Sequence, residues 1–228
     1  MTQGTLSVVG TPIGNLGDIT LRALETLKNA DAIACEDTRV TSKLLARYEI
    51  EKPLLMYHAR AHARGAEKIF ALLEQGKKIA LVTDAGTPGV SDPGTELVYE
   101  VRRRFADEVR IEAIPGASAL TAALSIAGVP TAEFVFLGFL PHKKGRQTLF
   151  REIGETERAV VFYESPHRIQ KALDSLTEVL APNRRVVVLR ELTKMFESVV
   201  QGTATELVAY FVAHPDQVRG EFVVVVAP

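Results

Sequence analysis

Cysteine is nearly missing: Cys35 is the only one in 228 residues. A single thiol excludes an internal disulfide framework and any zinc site caged by cysteines. Excess charge is missing too, the formal net charge being −1. That speaks against a polybasic membrane anchor or a coat for DNA of any sequence, while leaving room for a local basic patch on folded RNA. No apolar run reaches spanning length, and the start MTQGTLSVVG has neither a basic segment nor a small-residue cleavage site. A cytoplasmic protein with no membrane and no DNA partner is expected. Four motifs are absent as well: G-x-G-x-x-G, the Walker A sequence, H-E-x-x-H and G-x-S-x-G. GTPIGNLG, with Gly10, Gly14 and Gly17 and with Glu36 further on, imitates a dinucleotide fingerprint. Its spacing is wrong, and Pro12 sits inside the turn, which argues against a nicotinamide-dependent dehydrogenase. His58 and His62 stand at helical i, i+4 spacing without a third ligand, so no metal is expected.

What is present is a globular composition, 46% apolar, arranged as short aliphatic runs between helical patterns. Strands are expected at Leu6–Val9, Ala32–Cys35, Lys78–Thr83, Arg110–Ile114, Phe134–Gly138, Ala159–Tyr163, Val186–Leu189 and Phe222–Val226. Several are apolar without alternation, as in strands covered on both faces. Ile169, Leu173, Leu176 and Leu180 make one stripe on a helix over 166–180, with Ser165 as N-cap and Pro166 in the first helical position. Thr203 and Glu206 have capping-box spacing. The βα alternation makes the class α/β. Two α/β domains, 1–115 and 116–228, are expected to meet at the PGAS turn and share a cleft.

Three turns share one design: an apolar strand, a run of Gly, Pro and small residues, then a helix start. They are GTPIGN, DAGTPGVSDPG and IPGASAL. Glycine permits positive φ and close backbone approach, while proline fixes the chain and removes donors. Such loops after parallel strands are where α/β proteins bind ligands. Each alone also reads as a tight turn with a helix cap, Asp92 before Pro93 being a good N-cap. No lysine accompanies them, which argues against a nucleoside triphosphate.

VVGTPIGNLGDITLRALETLKNADAIACEDTR, LVTDAGTPGVSDPG, IPGASALTAALSIAGVP, FLGFLP, FYESPHR, RELTKMFE and RGEFVVVV run from Val8 to Val226. Together they resemble the RNA-modifying branch of the tetrapyrrole methylase superfamily. The resemblance implies two α/β domains with S-adenosylmethionine in the cleft between them. It further implies methyl transfer to the 2′-hydroxyl of a cytidine in the decoding region of small-subunit (16S) ribosomal RNA, by a homodimer that acts on the small ribosomal subunit. Asp84 to Ser91 would then wrap the cofactor's methionine and ribose, with Ala85, Gly86, Thr87 and Val90 closest. Pro12, Ser118, Ala119, Tyr163, Glu164 and Leu192 would complete the pocket. Relatives in this branch carry an acidic, amide-bearing run where this chain has Ala59 to Arg64, and they commonly continue past RGEFVVVVAP with a further helical segment.

A sulfonium is already an excellent leaving group, so positioning supplies much of the rate. A ribose hydroxyl becomes a good nucleophile only as its proton leaves, which calls for a base or a charge-stabilising group. Glu36, Asp37, Glu164, Glu191 and Lys194 are the candidates, Lys194 for a forming alkoxide and a carboxylate such as Glu191 or Glu36 for the proton. The bland alternative for RELTKMFE is ordinary ion pairing at a strand end. Arg39 and Asp37 of CEDTR and Arg168 of YESPHR are read as substrate contacts, with a helix-start ion pair as the alternative for Arg39. Basic residues gather at His58–Arg64, Arg102–Arg104, Pro141–Arg146 and Arg184–Arg185. Each is most simply a solvated face. Lys143, Lys144 and Arg146 follow a strand and make the best contact to RNA phosphate. Two other functions compete: carbon methylation of a tetrapyrrole in the same fold, and a non-catalytic cofactor-binding module on the ribosome.

Overall fold

The structure, a computed structural model, describes residues 3–57, 62–92 and 94–228, with 62–65 through their backbone only. The chain divides into two compact units, Met1–Ser118 and Ala119–Pro228. His58 and residues 59–61 of the basic run lie outside the described residues, and His62 and Arg64 are described through their backbone only.

In the first unit five strands form an all-parallel sheet. They are β1 (Gly4–Val9), β2 (Ala32–Cys35), β3 (Leu54–Met56), β4 (Lys78–Leu81) and β5 (Val109–Ile114), in the order β3-β2-β4-β1-β5. The helices are α1 (Leu21–Asn29), α2 (Thr38–Arg47), α3 (His62–Glu74) and α4 (Thr95–Phe105). Period-two side-chain direction splits each strand between two cores. Leu6, Ala34, Ile79 and Leu81 pack with Ile69 and Phe70 of α3 and Leu97 and Val101 of α4. Val9, Ile33, Cys35 and Ala80 pack with Leu27 of α1 and Leu45 of α2. This two-sided burial is why these strands read as continuous apolar runs. The chain leaves β1 toward β2 on one side and leaves β4 toward β5 on the other. The carboxyl ends of β4 and β1 are therefore a topological switch point, where a crevice opens above an α/β sheet.

The second unit carries a mixed sheet. Its strands are β6 (Phe134–Phe139), β7 (Ala159–Glu164), β8 (Arg185–Arg190), β9 (Ser198–Thr203) and β10 (Phe222–Val226), ordered β6-β7-β10-β8-β9. Helix α5 (Ala119–Ile126) contacts β10. Helices α6 (Arg146–Glu155), α7 (Ile169–Val179) and α8 (Ala204–Ala213) bury Phe150, Leu173, Leu176 and Phe211 against Phe162, Val188, Phe222 and Val224. Strand β10 pairs antiparallel with both β7 and β8, and β6 pairs parallel with β7. The loops after β6, β7 and β8 therefore leave from the same end of the sheet.

Local signals succeed and fail for identifiable reasons. The capping box on α8 is present, Thr203 Oγ1 accepting from the Glu206 N–H while Glu206 accepts from the Thr203 N–H. Asp92 is not the cap of α4, whose N-cap is Gly94 at φ 140°. Ser165 and Pro166 do not start α7 either: 166–168 form a turn on the Ser165 carbonyl, and the helix opens at Ile169 with Arg168 as N-cap. Strands β3 and β9 join the eight expected from the sequence.

Arg184, expected on a solvated face, is instead a clamp. Its guanidinium donates to the carbonyls of Ile153, Gly154 and Thr156 at the end of α6, at 3.0, 3.0 and 2.6 Å, and to Ala227 at 2.7 Å. It answers the unpaired carbonyls of a helix C-terminus with a cation. Its neighbour Arg185 is exposed. Arg184→Met should lower unfolding free energy by about 2–4 kcal/mol, and Arg185→Met by under about 0.5 kcal/mol. Urea unfolding measures both, and equal losses would contradict the clamp.

Candidate functional site

The loops after β1, β4 and β5 are joined by backbone. Gly10 N–H donates to the Ile114 carbonyl at 2.9 Å. Thr11 and Gly86 exchange N–H···O=C bonds of 2.8 and 3.1 Å, a lone antiparallel bridge above a parallel sheet. Thr11 Oγ1 lies 3.3 Å from the carbonyls of both Thr83 and Gly86, and Thr87 Oγ1 donates to the Ala117 carbonyl at 3.1 Å. Gly10 and Gly116 face each other so closely that a Cβ on Gly10 would come 2.8 Å from the Gly116 Cα. Gly86 sits at φ +82°, a left-handed conformation that costs a non-glycine residue roughly 1–2 kcal/mol. Pro12, Ile13, Gly86 and Pro88 are buried, Thr87 and Val90 half-buried, and Asp84, Ala85 and Ser91 exposed. Ser91 adopts φ 67° without being glycine. The result is a floor of fixed peptide groups and prolines with no basic side chain.

Acids line the same end of this unit. Asp37 caps α2, its carboxylate accepting from the Arg39 N–H at 2.8 Å and pairing with the Arg39 guanidinium at 2.5 Å. The hydrogen bonds from the Arg39 guanidinium and N–H hold the Asp37 carboxyl down at about 2. Asp84 Oδ1 accepts from the Asp37 N–H at 3.1 Å, which ties the β2 and β4 loops together. Asp92 behaves oppositely. Burial first, then the Glu36 and Asp84 carboxylates, push it up to about 6.

The second unit holds two ion clusters. Glu164, at the end of β7, has a side chain with 0% exposure; Arg168 reaches its two oxygens at 2.6 and 3.0 Å, and Arg146 lies 3.4 Å away. The Ser165 N–H adds a bond of 2.8 Å, so both carboxylate oxygens are occupied. Tyr163 packs edge-on against Phe136 and Phe139. After β8, Lys194 Nζ donates to Glu191 Oε1 at 2.9 Å and to Glu221 Oε2 at 2.7 Å. Burial opposes the ammonium charge, but the bonds to Glu221 and Glu191 outweigh it and raise the Lys194 pKa. Glu191 is lowered in turn: burial raises it, and the Lys194 bond and the Glu221 N–H more than offset that. Gly220 makes room, since a Cβ there would meet the Glu191 carboxyl carbon at 2.4 Å. Glu191 and Thr193 both take positive φ, 52° and 66°. Strain of this kind in non-glycine residues clusters at working sites.

The family model for tetrapyrrole (corrin/porphyrin) methylases matches residues 5–208. Ribosomal RNA small subunit methyltransferase I of Thermotoga maritima is 43% identical over 209 residues, covering 92% of each chain. The protein of that name from Synechocystis is 46% identical, covering 99% of this chain and 79% of its own. A cobalt precorrin-4 methyltransferase structure superposes with a TM-score of 0.70 at 18% identity, over 98% of this chain and 94% of its own.

The chain belongs to the tetrapyrrole methylase family.

Within the family it groups with the relatives named for ribosomal RNA, since the tetrapyrrole enzyme shares only the fold. The β1, β4 and β5 loops bring Pro12, Asp84 to Ser91 and Ser118 onto one end of the first unit's sheet. Ala119, Tyr163, Glu164 and Leu192 belong to the second unit, Leu192 buried and Glu164 with its carboxylate spent. Lys194 and Glu191 are in contact, whereas Lys143 and Lys144 are exposed beside a buried Arg146. Arg39 pairs with Asp37, as a helix-start residue would. Asp92 is the acid whose chemistry is not legible in the sequence, because its burial and its neighbour Glu36, from the end of β2, are tertiary; Asp84 stands earlier in its own loop.

A carboxyl held above its ordinary 3.8 favours the folded state while protonated, and that contribution is lost as pH rises through about 6. Asp92→Asn keeps it at all pH values. The variant should melt with the parent near pH 4 and roughly 2–4 °C higher above pH 7. Equal melting temperatures at both ends would contradict the acid cluster.

Proposed function

We propose that the chain is an S-adenosylmethionine-dependent methyltransferase that modifies small-subunit ribosomal RNA at the ribose 2′-hydroxyl of a cytidine in the decoding region. The observation that carries this reading is near-full-length identity above two-fifths to proteins named for that RNA. The reaction takes place in the cytoplasm, and the working form is a homodimer bound to the small subunit. Among the described residues no helix is long and apolar enough to cross a membrane.

The residues of the first unit suit such a cofactor. S-adenosylmethionine brings an electrophilic methyl on a sulfonium and carries no phosphate. A binding floor for it needs peptide donors and acceptors and apolar contacts, not lysines, and the loops around Gly10, Gly86 and Gly116 provide that set. Ala85, Gly86, Thr87 and Val90 hold the cofactor through backbone and small side chains, with Pro12 and Ser118 beside them. Asp84 and Ser91 are its polar contacts. Tyr163, Leu192, Ala119 and the backbone of Glu164 are the corresponding contacts from the second unit.

Lys194 acts as a cation. Its raised pKa leaves it charged at neutral pH, so it stabilises negative charge on the ribose oxygen and does not accept the proton. Glu191 and Glu221 fix the ammonium in place. When bound, the cofactor would supply an electrophilic methyl group to the ribose oxygen, and Glu36 or Glu191 would be the carboxylate that takes the hydroxyl proton. Asp37, Arg39, Lys143 and Lys144 contact RNA; Arg146 and Arg168, both paired with Glu164, brace the loop that carries Lys143 and Lys144.

The test is transfer of labelled methyl to hypomethylated small subunits, naked RNA and a tetrapyrrole. Label in an alkali-resistant dinucleotide from the subunit sample is expected. Label on the tetrapyrrole alone would favour carbon methylation, and cofactor binding without transfer would favour a non-catalytic module.

A further inference from the structure

The loop from Glu191 to Glu197 leaves β8 and turns back into β9, and its backbone is braced throughout. Arg190 Nη2 donates to the Phe196 carbonyl at 3.0 Å, and the Thr193 N–H donates to the Glu197 carboxylate at 2.5 Å. The Lys194 N–H reaches the Glu191 carbonyl at 2.9 Å, and the Glu197 N–H reaches that of Lys194 at 3.1 Å. Two positive-φ residues are tolerated to make this turn. Yet the two side chains at its tip are given to solvent: Met195 is 90% exposed and Phe196 66% exposed. Holding a strained backbone rigid in order to expose an aromatic ring has no folding benefit. It does suit a ring that must present a fixed face to a flat partner.

The position of the loop says which partner. It leaves the same end of the sheet as the β6–α6 loop that carries exposed Lys143 and Lys144. In the order β6-β7-β10-β8 the two loops are three strand spacings apart, about 14 Å. A basic loop and an aromatic face at that separation match phosphates and a base of one RNA segment, since proteins that read single-stranded RNA pair a cationic track with stacking rings. The tip is too small for a dimer contact by itself, which needs roughly 600 Å² or more from each partner. Phe139 is also exposed at this end, but it is committed edge-on to Tyr163 at 5.4 Å.

We propose that Phe196, flanked by Met195, is the stacking surface for an unpaired base of the RNA substrate. Together with Lys143 and Lys144 it makes this end of the second sheet a single-stranded RNA grip. Phe196 is thus a positioning residue: it holds the strand and takes no part in methyl transfer. This rests on the RNA reading above and can fail independently of it.

The chain contains no tryptophan, so Phe196→Trp installs a single fluorophore at the tip. Its emission should be quenched by an unstructured cytidine-containing RNA oligonucleotide and not by inorganic polyphosphate of equal charge. Phe196→Ala should raise KM for small subunits by roughly 5- to 100-fold, the worth of one stacked base, with kcat changed less than about threefold and Phe196→Leu in between. Equal response to RNA and polyphosphate would overturn the proposal. So would an unchanged KM in a parent enzyme that transfers methyl, or a shift of Phe196→Ala from dimer to monomer in sedimentation, which would give the ring to a second copy of the chain. A parent that transfers no methyl to any subunit fails the RNA methyltransferase reading instead, and the fluorescence titration still decides the stacking.

Discussion

Gly10 and Gly116 touch through their backbones, and the loop end of the first unit's sheet is built around that contact. Parallel order brings the carboxyl ends of β4, β1 and β5 side by side, but strand spacing alone leaves the loops apart. Two residues without side chains let the β1 and β5 loops close to van der Waals distance, and the Thr11–Gly86 bridge draws in the third. Peptide groups then replace side chains as the lining. This accounts for both the glycines and the missing lysines: a rigid floor of peptide groups with acids beside it and no lysine in its loops suits a sulfonium cofactor and would serve a triphosphate badly.

The second unit solves a different problem, how to hold charged side chains in fixed positions. Glu164 has every oxygen committed to Arg168, Arg146 and a peptide N–H. Lys194 is bracketed by two carboxylates, and a glycine across the loop makes room for one of them. Paired charges of this sort contribute little net stability when partly buried. Their value is fixed geometry. The same restraint at the β8–β9 turn leaves Phe196 projecting from a hydrogen-bonded backbone.

Much of this was legible in the sequence. Strands such as Ala32–Cys35 and Phe222–Val226 are apolar on both faces, so composition alone marks them. Leu54–Met56 is three residues long, and Ser198–Thr203 is an edge strand mixing Ser, Gln and Gly with valine; neither has an apolar run to announce it. The Gly/Pro loops were legible as tight turns at the carboxyl ends of β1, β4 and β5, where the structure joins them by backbone hydrogen bonds. What stayed hidden depends on tertiary partners. Arg184 looks like any surface arginine until α6 ends beneath it, and Asp92 looks like a helix cap until its loop folds back to bury it and Glu36 arrives from the end of β2.

The central claim is that closure of the β1 and β5 loops creates the cofactor floor, and calorimetric titration of Gly116→Ala with S-adenosylmethionine tests it most directly. An added Cβ would press on the Gly10 carbonyl oxygen at 2.7 Å and force the loops apart. With the variant shown folded by circular dichroism, the account predicts affinity at least about tenfold weaker than the parent's, a loss of roughly 1.4 kcal/mol or more. Parent-like affinity would contradict it.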